Sequence, residues 1–334
     1  MPHLPKARSG AVACLLLIPL LGTPALAEPQ EAEAGSLPEA IADFERGRFR
    51  EARAGFRAHA DSGRSQFYLG RIALRRFEPY PAAEHLRKAV ASAPDNADFH
   101  YWLGRAYGKL AERANIFKRA YYAGKTQEHF QRAVELEPEH LHARVALVMY
   151  DLQAPGFLGG SREAAERHTG VLFRQSPVAG LRARGLAQEQ EEAFDKALAT
   201  YRHAAELAPE HHRPHRWLAG LHRQLGHYER AFALYAERLA RKEPDPAARV
   251  GFARTALASG TRLEEAADHL RIYIERGPLP EQPTLGEAHY LLGKVRQAQG
   301  RLHAALRAFQ RSLEVAPNHP RAGAAHDAVE ASLL

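Results

Sequence analysis

Residues 286–319, GEAHYLLGKVRQAQGRLHAALRAFQRSLEVAPNH, carry the pattern that decides the fold. Ala305 follows Gly293 by twelve residues, Phe309 comes four later, and Ser312 and Pro317 complete the unit. The same spacing joins Leu69-Gly70, Ala82, Leu86, Ala89 and Pro94. It returns at Gly185, Ala197, Tyr201, Ala204 and Pro209, then at Ala219, Ala231, Tyr235 and Arg238. Small residues at these places let two helices approach closely across a short turn. Phe56, Phe130, Tyr201, Tyr235 and Phe309 then fill the gap toward the next unit. The prolines end the second helix, because proline cannot continue one. Such a helix pair cannot bury its apolar face alone, so neighbouring pairs stack and leave a long concave surface.

Outward from these units, the first repeat starts near Leu37, with Gly47, Phe49, Ala52 and Phe56 in register, and the second covers Gly63 to Asn96. The third opens with His100, Leu103, Gly104 and Tyr107, but its second helix comes late, at Thr126, Phe130, Ala133 and Pro138, so ten residues are inserted. The fourth starts at Leu141 and carries Ala154 to Ser161 where a short turn belongs, with Ser161 placed to cap the next helix. The fifth and sixth, Val178–His211 and His212–Asp245, are contiguous. The seventh is looser, with Gly251, Ala266, Leu270 and Tyr273, and ends in a Pro-rich break from Gly277 to Pro283. The eighth is Gly286–His319, and residues 320–334 form a closing segment whose helix begins at Ala322.

The 34-residue unit with these small, aromatic and proline positions resembles the tetratricopeptide repeat (TPR), over Leu37 to His319. The resemblance implies an all-α, right-handed solenoid of about eight helix–turn–helix repeats with a C-terminal capping helix. It also implies a non-catalytic scaffold that holds a protein or peptide. The Asn-and-Lys carboxylate clamp of chaperone-binding TPR proteins is missing, since Tyr68 and Trp102 stand in the equivalent places.

The N-terminus predicts export. Lys6 and Arg8 precede an apolar run from Ala11 to Leu21, and Ala25-Leu26-Ala27 forms a cleavage site before Glu28, which is the layout of a secretory signal peptide. The run is shorter than the ~18 residues that span a bilayer. Residues 1–27 are thus expected to be removed and 28–36, acidic and without large apolar groups, to form a flexible leader. The expected location is the periplasm, or the exterior if the envelope has one membrane, and the resemblance becomes one to exported bacterial TPR proteins. Cys14, the sole cysteine, falls in the removed part, so disulfides, thiol chemistry and zinc–thiolate sites are excluded from the mature chain. The net charge is +7, or +5 without Lys6 and Arg8. Export and the interspersed acids argue against nucleic acid as the partner.

The concave face belongs to the first helix of each repeat. It is expected to carry Arg64, Tyr68, Arg71 and Arg75 in the second repeat and Tyr101, Trp102, Arg105 and Lys109 in the third. The fifth repeat adds Arg182, the sixth Arg213, Arg216, Trp217 and Arg223, and the eighth Tyr290 and Lys294. Arginine forks grip carboxylates and flat rings bury apolar side chains or sugar faces, so the face suits an extended ligand with acidic groups. The competing reading makes these solvated arginines and partly buried rings. An anionic polysaccharide or peptidoglycan is the alternative ligand, and an accessory subunit of an envelope export machine the alternative role.

The insertion near 111–125 is basic and aromatic, and reads as a projecting extension whose Phe117 and Tyr121 either face a ligand or pack on a neighbour. The Gly-rich insertion 154–161 lacks the Lys of a P-loop and follows no strand, so it reads as a lengthened turn. His203, His211, His212, His215, His222 and His227 cluster in sequence, but helix spacing alone brings no three ligands together, and no metal or cofactor is expected. No G-x-S-x-G or H-E-x-x-H motif is present, and the chain does not read as an enzyme.

Overall fold

The computed structural model describes residues 35–241 and 244–333. The expected signal peptide and the leader through Ala34 lie outside the described residues. Helices follow one another in eight pairs. The first four are α1 (Leu37–Glu45) with α2 (Phe49–Ala58), α3 (Gly63–Arg75) with α4 (Pro79–Ser92), α5 (Ala97–Arg113) with α6 (Ile116–Leu136), and α7 (Leu141–Gln153) with α8 (Arg162–Gln175). Then come α9 (Pro177–Gln190) with α10 (Phe194–Leu207), α11 (His212–Gln224) with α12 (Tyr228–Ala240), α13 (Pro246–Ser259) with α14 (Leu263–Arg276), and α15 (Leu285–Ala298) with α16 (Leu302–Val315). A single helix, α17 (Ala322–Ala331), follows, and its Ala322 and Val329 close the last core band. The described residues contain no strand. The expected all-α solenoid of eight repeats with a terminal helix is the observed architecture.

Local chemistry sets the helix starts. Asn96, Asn115, Ser161, Ser176 and Thr284 each accept the N–H three residues on, satisfying a donor that no helix turn can reach. Each small residue then meets the side chain that its spacing promised. A Cβ on Gly185 would lie 2.1 Å from the Tyr201 ring, and on Gly293 2.4 Å from that of Phe309. Gly70 faces Leu86 and Gly104 faces Phe130 in the same way, whereas Gly251 meets Tyr235 of the preceding repeat. Phe56, Tyr201, Tyr235 and Phe309 are buried, as are Ala82, Ala197, Ala231 and Ala305.

The turns inside the pairs need a left-handed residue, supplied by glycine at Gly47, Gly226 and Gly300. Phe77 takes that conformation without being glycine, at φ 60°, and its ring packs 4.7 Å from His319. That contact belongs to a feature no local pattern announces: the array curls until its second and third repeats touch its last. Arg76 donates to the Val315 carbonyl at 3.1 Å, and Arg113 donates to the carbonyls of Phe77 at 3.0 Å and Asn318 at 3.3 Å.

The ten inserted residues lengthen α5 to 17 residues and α6 to 21, so this pair extends past its neighbours. The Gly-rich segment is an ordered turn with one 3-10 stretch, Gly156–Leu158. The Tyr150 hydroxyl donates to the Leu158 carbonyl and Gln127 to that of Gly159. The Ser161 hydroxyl accepts the Ala164 N–H, so the helix start there already has its cap.

Candidate functional site

The concave wall begins with α3 and α5, whose arginines and rings interleave into a column. The Arg71 guanidinium lies 4.6 Å from the Phe44 ring on one side and 4.4 Å from Trp102 on the other. The Arg105 guanidinium also lies over the Trp102 ring, at 4.0 Å. Arg75 rests on Phe49 at 4.1 Å. Such stacks are favourable because the ring quadrupole attracts the cation, the more so when water is excluded. The cost is desolvation: burial lowers the pKa of Arg71, opposed mainly by Glu281, and brings Arg75 down to about 10.

What covers this column is the Pro-rich segment between α14 and α15. The Arg71 Nη2 donates to Glu281 Oε1 at 3.1 Å, across 210 positions of sequence. Arg75 Nη1 donates to the carbonyls of Pro280 and Gln282. A Cβ on Gly47 would strike the Pro278 carbonyl, so the segment also lies tight on the first turn. The chain thus lays its own extended, proline-rich strap over the basic end of its concave face, holding main-chain carbonyls and a carboxylate on two arginines.

Beyond the strap the concave side remains open as two adjoining cavities. One, of about 690 Å³, is lined by Phe44, Tyr68, Arg71, His212, Arg216 and the strap residues Leu279 to Gln282. The other, of about 930 Å³, sets Leu141, Val145, Val178 and Trp217 beside His142, Arg182 and Arg213. Both share His212, Arg216 and Glu281. Several cations here are already matched: Arg216 meets Asp245 at 3.3 Å and Arg182 meets Glu189 at 3.7 Å, while Arg182 also donates to the Tyr201 hydroxyl. Arg213 donates to His142 Nε2 at 3.1 Å. Burial and the positive Arg213 push His142 below its ordinary pKa, so it accepts that bond as a neutral ring. Among the described residues no carboxylate lies within ion-pair distance of Arg105 or Arg213.

Of the residues placed on the concave face from sequence, the structure brings Tyr68, Arg71, Arg213, Arg216 and Trp217 to the cavities. Tyr101, Trp102 and Arg105 surround the Arg71 column, Tyr101 lying 5.1 Å from the His140 ring. Arg75 is beneath the strap, and Tyr68 stacks face to face on Phe56 at 4.7 Å as part of the core. Arg64 is exposed at the start of α3, Lys109 pairs with Glu112 outside the cavities, and Arg223 lies beside the Tyr235 hydroxyl. In the eighth repeat Tyr290 is buried and Lys294 donates to Gln297. Sequence reasoning missed His142, Asp245 and Glu281. Only Glu281 had a signal, as the lone acid of a proline-rich break.

Of the clustered histidines, His215 and His222 are buried, His212 lines both cavities and His203 is exposed. His215 holds the Pro209 carbonyl at 3.2 Å, and His222 and His227 approach at 3.3 Å. Burial lowers the pKa of both His215 and His222.

Two tetratricopeptide repeat family models match the chain, over residues 286–319 and 82–128. No curated protein matches it. Among solved structures, yeast Tom70 aligns with 93% of this chain and 66% of its own, at 15% identity and a TM-score of 0.58. A tetratricopeptide repeat protein from Parabacteroides merdae covers 80% of this chain and 98% of its own, at 15% identity and 0.47. YrrB, titled a TPR protein with an unusual peptide-binding site, covers 74% and 100%, at 15% identity and 0.36. At such identities a likeness speaks to fold alone. With tetratricopeptide repeat models matched at two places and the helix pair repeated along the array, this is a tetratricopeptide repeat protein.

Proposed function

We propose that this protein is a non-catalytic periplasmic scaffold for cell-envelope assembly or secretion, and that it takes an extended acidic peptide segment of its partner into the concave groove. The observation that carries the reading is the strap. Main-chain carbonyls on Arg75 and a carboxylate on Arg71 are what a bound acidic peptide would offer, and here the chain supplies them itself. The neighbouring 930 Å³ cavity continues the same chemistry, with Trp217, Val145 and Val178 for an apolar side chain and Arg213 for a carboxylate. Bidentate pairing suits Arg213, because among the described residues no carboxylate lies within ion-pair distance of it. Tetratricopeptide arrays generally act as scaffolds rather than catalysts, and the peptide-binding description of YrrB accords with this use. Export rests on the Lys6–Ala27 signal layout.

The test is binding of labelled extended peptides, acidic and basic, to the chain from Glu28. Acidic peptides should bind, and Arg105→Glu with Arg213→Glu should weaken them about tenfold or more, by removing and reversing two charges in a partly desolvated site. Equal affinity for both peptide types, or no loss in the double variant, refutes the reading.

A further inference from the structure

The start of α6 presents a surface that the groove leaves unused. Ile116 is 74% exposed, Phe117 86% and Tyr121 58%, although large apolar side chains on a helix ordinarily face a core. At 100° per residue Ile116, Ala120, Gly124, Phe117 and Tyr121 fall within an arc of about 140°, a continuous stripe over the first turns. All five are exposed. Lys118 and Lys125 follow on one edge of the stripe. The stretch from Arg113 to Gln127 has no acid, and the flanking acids are engaged, Glu112 by Lys109 and Glu128 by Lys125. Asn115 caps the helix by accepting the Lys118 N–H, so the tip is formed before anything binds.

The rim is tyrosine. Tyr121 packs edge-on to Tyr122 at 5.4 Å, Tyr122 stacks on Tyr107 at 6.1 Å, and Tyr80 is 58% exposed beside Tyr122. The insertion therefore makes a ridge of the longest helix pair, with an apolar crest, tyrosine shoulders and basic flanks.

We propose that this ridge docks on an anionic lipid bilayer, lying in the interface rather than crossing it. An interfacial helix buries its apolar face roughly 5–10 Å into the headgroup boundary, and here an exposed apolar stripe runs over the first turns of α6. Tyrosines favour the same boundary because one end is apolar and the other wet. Lysine and arginine stems lie along the stripe while their heads reach lipid phosphates. The fit is one of charge and shape: a convex crest with positive flanks matches a broad negative surface and buries its apolar side chains without a complementary pocket. The proposal is independent of the groove, because none of these residues lines either cavity.

The experiment is sedimentation of the chain from Glu28, which keeps the whole helix array, with vesicles of phosphatidylcholine alone or mixed with phosphatidylglycerol. Binding is expected only to the mixed vesicles and should fall with salt. Ile116→Ser with Phe117→Ser, and separately Lys118→Glu with Arg119→Glu, should each weaken it about tenfold or more. Because these side chains are exposed, thermal melting by circular dichroism should stay as in the parent chain. Phe117→Trp gives a second readout, a blue shift of emission on anionic vesicles. Absence of binding, binding unaffected by both double variants, or no blue shift overturns the proposal. Specific capture of an acidic protein by the ridge without vesicle binding also overturns it, and assigns the surface to a protein.

Discussion

Replacing Arg75 by Met tests whether the strap is held closed by that side chain. Met keeps an apolar stem on Phe49 but removes the donors to Pro280 and Gln282. Each hydrogen bond from a charged donor contributes about 1.5–3 kcal/mol net, and the stack on Phe49 about 1 kcal/mol. Against this stands the cost of burying the guanidinium. A fall of its pKa from 12.5 to about 10 corresponds to roughly 3 kcal/mol that the variant recovers. The balance is a loss of about 2 kcal/mol in the closing free energy, or roughly thirtyfold in the opening equilibrium. Two amides inside the strap report it directly: the Leu279 N–H donates to Gln282 Oε1 at 3.1 Å and the Gln282 N–H to the Leu279 carbonyl at 3.0 Å. Hydrogen exchange of residues 277–284 should speed by about ten- to a hundredfold. Amides around buried Phe309 should not change. Unaltered exchange at Leu279 and Gln282 refutes the argument that Arg75 holds the strap.

Other consequences follow from packing and titration. Gly185→Ala pushes a methyl into the Tyr201 ring and should cost about 1–3 kcal/mol or more, read as a lower urea midpoint. Acid should weaken the fold in two steps. Burial and nearby His100 hold His129 down to about 4, so its share of stability is complete above its unfolded pKa of 6.5 and is lost as pH falls toward 4. Burial raises Glu287, but the His319 hydrogen bond and the Arg254 and Arg321 guanidiniums outweigh it and bring the carboxyl to about 2. Its share, about 3 kcal/mol, is present above 4.5 and is lost as pH falls from there toward 2. Glu287→Gln should remove most of the second step from a pH series of urea midpoints and leave the first. The exported form should begin at Glu28 by N-terminal sequencing.

The division between what the sequence discloses and what it hides follows contact range. Gly293, Ala305 and Phe309 meet within seventeen residues, so their spacing is set by one helix pair and repeats wherever the pair repeats. The contact of Arg71 with Glu281 depends instead on small rotations summed over the intervening pairs, and no local pattern encodes that sum. Composition likewise showed a basic, aromatic concave face without showing that its members satisfy one another. Arg71 and Trp102 sit in successive repeats, and only their stacking places guanidinium on ring. This self-satisfaction narrows the ligand question. Arg71 is spent on Glu281, Arg75 on strap carbonyls, Arg182 on Glu189 and Arg216 on Asp245. A ligand entering the groove must either displace the strap, competing with contacts that are already intramolecular and so enjoy high effective concentration, or engage Arg105, Arg213 and the Trp217 wall directly. A ligand taking the first route should bind better to Arg75→Met than to the parent chain, whereas one taking the second should bind both alike and lose affinity when Trp217 is replaced by Ala.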